Sequence, residues 1–97
     1  MKNLIIKAIE NSKLIEFYYN DHYRVVEPHT FGIFGNGNEL LVAFQVDGTS
    51  DTGKVPEWKR FSFSKIEKLN VLNEDFVGTR DGYKKGDTSF KIIYSDL

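Results

Sequence analysis

The run Lys13-Leu14-Ile15-Glu16-Phe17-Tyr18-Tyr19, then Asn20-Asp21-His22, then Tyr23-Arg24-Val25-Val26-Glu27, decides how this chain is built. Ile15, Phe17 and Tyr19 fall on alternate positions, with Glu16 and Tyr18 between them. A period of two is the mark of a strand with one face inward and one outward. Asn20-Asp21-His22 has the chemistry of a turn, and the alternation returns after it. Residues 13–27 therefore read as a β-hairpin.

Upstream, the period is different. Leu4, Ile5, Ala8 and Ile9 make one apolar stripe, with Lys2, Lys7, Glu10 and Asn11 opposite, so residues 2–12 read as a helix. Asn3 is its candidate cap. About three turns are marginal alone, so the helix must lie on the strands.

Downstream, Pro28 donates no ladder hydrogen bond, and pairing should bend or break there. Thr30 to Phe34 resumes a strand, with Gly32 a bulge or bend. Gly35-Asn36-Gly37-Asn38 is a tight hairpin turn, because Asn-Gly accepts positive φ. Leu40 to Val46 is nearly all apolar, as for a strand covered on both faces, one of them by the helix. Residues 47–57 read as a surface loop. Trp58 to Phe63 alternates, Ser64-Lys65-Ile66 is a helical turn, and Leu69 to Leu72 is a short strand. Gly78 to Gly86 reads as loop. Phe90, Ile92 and Tyr94 alternate, which favours a closing strand; Asp87-Thr88-Ser89 would instead cap a helix.

Together these describe one mostly β domain with one N-terminal helix. Five or six short antiparallel strands and tight turns imply a small closed or partly open barrel. The chain has 97 residues, enough for one core and too few for two. Its 14% aromatic content points to a core of Phe and Tyr. A net charge of −1 gives no bulk attraction to nucleic acid or membrane. No apolar run approaches the roughly 18 residues a membrane span needs, and the N-terminus lacks a signal-peptide core. The absence of cysteine excludes disulfides, thiol nucleophiles and thiolate metal sites, and suits a cytoplasmic protein.

Catalytic and metal motifs are missing. His22 and His29 have no paired-ligand spacing, no serine sits in a nucleophile elbow, and Gly-Asn-Gly-Asn precedes a strand rather than a phosphate-binding helix. No catalytic residue, metal or cofactor is expected, and the chain reads as a non-enzyme.

The positive signal is basic and aromatic. Lys54, Lys59, Arg60, Lys65 and Lys68 face only Glu57 and Glu67 over residues 54–68, a local charge of +3. Trp58 and Arg60 share a strand face, and Arg80, Tyr83, Lys84 and Lys85 make a second group in a loop. Arginine beside an aromatic ring holds a phosphate or stacks a base; equally, Lys and Arg on strands solvate an edge. Arg24, among apolar neighbours, either pairs with a glutamate or meets a ligand.

Several of these segments resemble the WYL domain of bacterial regulators. They are the Phe17-Tyr18-Tyr19 strand, Tyr23-Arg24-Val25-Val26-Glu27-Pro28, the apolar Leu40 to Phe44, and Lys59-Arg60-Phe61-Ser62-Phe63-Ser64-Lys65-Ile66. The resemblance covers residues 4–72. It implies an SH3-like, Sm-type barrel over 13–72 within a single domain of 1–97, with 73–97 as a C-terminal extension. It also implies sensing of a nucleotide or nucleic-acid-like ligand, with Tyr19, Arg24, His29 and Lys59 or Arg60 lining the pocket. Only the Leu of the naming Trp-Tyr-Leu triplet is present, since that triplet falls on Glu39-Leu40-Leu41. About a dozen residues precede the first strand, so no helix-turn-helix is expected here. The ligand set expected is Tyr19, Arg24, His29, Lys59, Arg60 and Arg80, taking a nucleotide or single strand. The alternative is a protein-interaction or homodimer module anchored on Tyr18, Tyr23 and Trp58.

Overall fold

A computed structural model describes residues 1–97. Helix α1 spans Lys2–Glu10. The strands are β1 (Lys13–Tyr19), β2 (His22–Phe34), β3 (Glu39–Gly48), β4 (Glu57–Ser62), β5 (Glu67–Asp75) and β6 (Phe90–Asp96), with a 3-10 turn at Phe63–Lys65. All pairings are antiparallel. The six strands form one sheet in the order β4-β3-β2-β1-β5, with β6 on β2.

The hairpin is as the alternation predicts. Ile15 pairs Val26 and Phe17 pairs Arg24, so these four side chains share a face. Asn20 and Asp21 turn the chain with φ of 52° and 62°, which their short polar side chains tolerate. The expected break at Pro28 is instead a bend. β2 runs unbroken for 13 residues and pairs β3 along its length. The register slips between Pro28 and Thr30, leaving His29 as the extra residue of a bulge. The same corner exchanges partners: β1 pairs up to Val26, and β6 pairs from Thr30 onward. Gly32 lets β6 close in, since a Cβ there would lie 2.1 Å from the Ile92 carbonyl oxygen.

The core face carries Ile15, Phe17, Val26, Phe31, Leu41, Ala43 and Phe61, closed by Ile5, Ala8 and Ile9 of α1. Phe17, Tyr19 and Phe61 meet edge to face at 4.9 and 5.0 Å. Several expectations need correction. Leu4 is largely exposed, so the helix buries a narrower stripe than its sequence offers. Asn3 makes no cap; Met1 occupies that position. The helix packs chiefly on β1, β2, β5 and β6 rather than on β3. The second face of β3 is only partly covered by residues 76–89, an irregular strap running from β5 to β6: Arg80 lies over Phe44, whereas Val42 faces a cavity. The alternating Phe90–Tyr94 segment is a strand, not a capped helix. No helix is long and apolar enough to cross a membrane.

Candidate functional site

The register sorts the expected site residues onto two faces. Arg24 stands opposite Phe17 and so points into the core. It is 3% exposed. Its Nε and Nη2 donate to the Tyr19 carbonyl at 3.3 and 3.1 Å, and Nη1 donates to Gln45 Oε1 at 3.3 Å. The guanidinium lies 5.3 and 5.4 Å from the Tyr19 and Phe61 ring centres. Its ion-pair partner is Asp51, at 3.7 Å, rather than a glutamate. Burial lowers its pKa, an effect Asp51 opposes. Tyr19 is likewise engaged: its hydroxyl accepts the Ser62 amide at 3.1 Å.

The opposite face is built by Glu27, Thr30, Val42, Phe44, Trp58 and Arg60, from β2, β3 and β4. The strap folds onto it. Arg80 grips Glu27 in bidentate fashion at 2.8 and 2.9 Å and lies 4.6 Å over the Phe44 ring. Glu27 is 6% exposed, so it needs this cation. Trp58 Nε1–H donates to the Asp81 carbonyl at 2.7 Å, and Tyr83 OH donates to the Leu97 carbonyl at 2.8 Å. His29 is fully buried beneath the strap, against Trp58 (4.7 Å), Tyr83 (5.3 Å) and Phe76 (5.8 Å). Burial, above all, lowers its pKa; the Glu27 carbonyl and carboxylate work against that, and Arg80 works with it.

Between β4 and the strap lies a cavity of about 620 Å³. Thr30, Val42, Trp58 and Arg60 form its sheet side, and Gly82, Tyr83, Lys84 and Asp87 its strap side. It reaches the edge of β4, where Thr52, Glu57 and Lys59 complete it. Lys59 is held by Glu57 at 2.9 Å and Thr52 at 3.2 Å. Arg60 and Lys84 take part in none of the six ion pairs of the chain. Arg60 rests 5.3 Å from the Phe34 ring and is solvent-exposed. This arrangement offers two free cations beside two aromatic side chains, at a concave surface.

Of the six expected residues, Lys59 and Arg60 line the cavity, His29 and Arg80 fasten the strap behind it, and Tyr19 and Arg24 lie on the other face. The three arginines do not converge. Tyr83 and Lys84 enter the site although only their loop's basic-aromatic composition marked them; Thr30 carried no signal at all. On another surface, His22 bonds Thr49 Oγ1 at 2.8 Å and Asp51 Oδ1 at 3.1 Å, while Asn20 donates to Asp51 at 3.0 Å. This line ties residues 49–51 to the β1–β2 turn and lies outside the cavity. No group of three His, Cys, Asp or Glu is placed to hold a metal. Comparison with known protein families, curated proteins and solved structures found no match to this chain.

Proposed function

We propose that this domain is a non-enzymatic, WYL-like sensing module that takes a phosphate-bearing ligand, of nucleotide type, in the cavity between β4 and the strap. The observation that carries the reading is the meeting of Arg60 and Lys84, both without ion pairs, with Trp58 and Tyr83 around about 620 Å³. Guanidinium and ammonium groups match phosphate, and aromatic faces accept bases. Arg24 and Tyr19 serve as frame in this reading, because their polar atoms are already engaged. In its finer form the fold is a partly open SH3-like, Sm-type barrel. Two features support that: the corner at Pro28–His29, and the single 3-10 turn that joins the outermost strands β4 and β5.

Calorimetric titration with nucleoside mono- and triphosphates and a short oligothymidylate, at low salt, tests the proposal. Binding should weaken as salt rises and be lost in Arg60→Ala/Lys84→Ala. Absence of binding at low salt refutes it.

A second reading, self-association or a protein partner, is favoured by one surface. Tyr18 and Tyr23 are 42% and 38% exposed, with rings 5.7 Å apart, on the outer side of β1 and β2. Light scattering of the wild type and of Tyr18→Ser tests its self-association form: a dimer lost in the variant supports it, and a monomer at high concentration removes that form.

A further inference from the structure

His29 makes two hydrogen bonds that only a neutral imidazole makes together, one within β2 and one that fastens the strap. The Glu27 carbonyl is an acceptor, so Nδ1, 2.8 Å away, carries the proton. The Arg80 backbone N–H is a donor, so Nε2, 3.2 Å away, carries the lone pair. We propose that His29 is a proton-operated latch: a proton on Nε2 expels the Arg80 amide, frees residues 76–86 from the sheet, and removes one wall of the cavity. The last step rests on the reading of that cavity as the ligand site; the opening itself does not.

Every side of the ring bears on this. From β2, the Glu27 carboxylate attracts a proton, but Arg80 already neutralises it. From the strap, the Arg80 guanidinium repels a positive ring, and Tyr83 and Phe76 add no charge. From β4 comes only the Trp58 indole, and from the end of β6 the Leu97 amide bonds the His29 carbonyl, not its ring. Burial outweighs the attraction, and the pKa is depressed. The sign follows. A depressed histidine pKa means that the open or unfolded state takes the proton first, near 6.5. The closed strap is fully favoured above that pH and loses its advantage as pH falls below it.

The strap is also the part that yields. Residues 77–82 are all exposed, Val77 completely, and positive-φ glycines stand at 78, 82 and 86. Backbone bonds hold the strap only at its ends, Phe76 to the Ser12 carbonyl and Ser89 to the Gly35 amide; between them it is held by a few side-chain bonds, whereas the sheet is held by continuous ladders.

The test is an NMR titration of the ligand-free wild-type protein from pH 7.5 to 5.0. It follows the His29 ring, the Arg80 amide and the Trp58 indole N–H. All three should move with one midpoint below 6.5, and between 6.5 and that midpoint the Arg80 amide should lose up to about tenfold in exchange protection per pH unit. Amides of β1 and β3 should keep theirs. In His29→Gln, whose side-chain oxygen accepts the same amide but does not titrate, the strap signals should stay flat. The latch is overturned if the strap stays closed down to pH 5.0, or if it opens at the same midpoint in His29→Gln. Because no ligand is present, failure of nucleotide binding and failure of the latch are read separately.

Discussion

Replacing Arg24 with alanine separates a framework arginine from a ligand-binding one. The substitution leaves two acceptors, the Tyr19 carbonyl and Gln45 Oε1, without their donors. Each costs on the order of 1 kcal/mol when left unpaired in a mostly buried place. The guanidinium also leaves the rings of Tyr19 and Phe61, for about 1 kcal/mol more. The Asp51 contact, long and at a half-exposed carboxylate, adds little. The expected loss is thus about 3 kcal/mol, a large share of the roughly 5–15 kcal/mol that holds a domain of this size. It should lower the melting temperature by about 12–24 °C. Urea unfolding of the ligand-free protein measures it, and the midpoint should fall with no change in slope. Arg24→Met, which refills the space without the hydrogen bonds, should recover part of the loss. A loss below about 1 kcal/mol would mean that Arg24 is no frame residue and would return it to the candidate ligand set.

Two further outcomes follow from other places in the fold. Gly32→Ala drives a Cβ into the Ile92 carbonyl, at 2.1 Å, and the Ile93 Cα, at 2.9 Å. It should cost about 1–3 kcal/mol and appear in hydrogen exchange as lost protection of β6 before β1. Tyr23 donates to Glu16 Oε1 at 2.7 Å, and that hydrogen bond, with burial second, pushes its pKa up to about 12. Its stabilisation is present below the ordinary phenol range near 10 and disappears as pH rises through about 12. Burial of Tyr83 and the Glu39 bond of Tyr94 raise those phenols too, so ultraviolet titration should show several late tyrosines, the latest of them lost in Tyr23→Phe; a titration unchanged by Tyr23→Phe at its high-pH end would contradict the bond.

The hairpin at 13–27 was legible because period and turn chemistry agree there. Ile15, Phe17 and Val26 enter the core as their alternation demands. Arg24 was ambiguous for the same reason: its position gives its face, but what meets it comes from β3 and the 49–51 loop, far along the chain. Pro28 shows the limit of a local rule. It does lack a ladder donor, yet a one-residue bulge at His29 absorbs the loss and turns the strand toward a second partner. Residues 76–89 carried almost no periodic signal, because their order comes from isolated side-chain anchors: Phe76, Arg80 and Tyr83 on a face made by β2 and β4. Nothing in spacing could place Glu27 beneath Arg80, 53 residues away. The basic-aromatic composition of the site was visible; its closure into a cavity was not, since four of its eleven lining residues belong to that strap.

The ligand reading stands most directly on where a nucleotide touches the domain. Backbone and indole chemical shifts, mapped during titration with a nucleoside triphosphate at low salt, report this in one measurement. Shifts should concentrate at Thr30, Trp58, Arg60, Tyr83 and Lys84, with β5 and the Tyr18–Tyr23 surface unmoved. Shifts gathered around Tyr18 and Tyr23, or none at all, would contradict it.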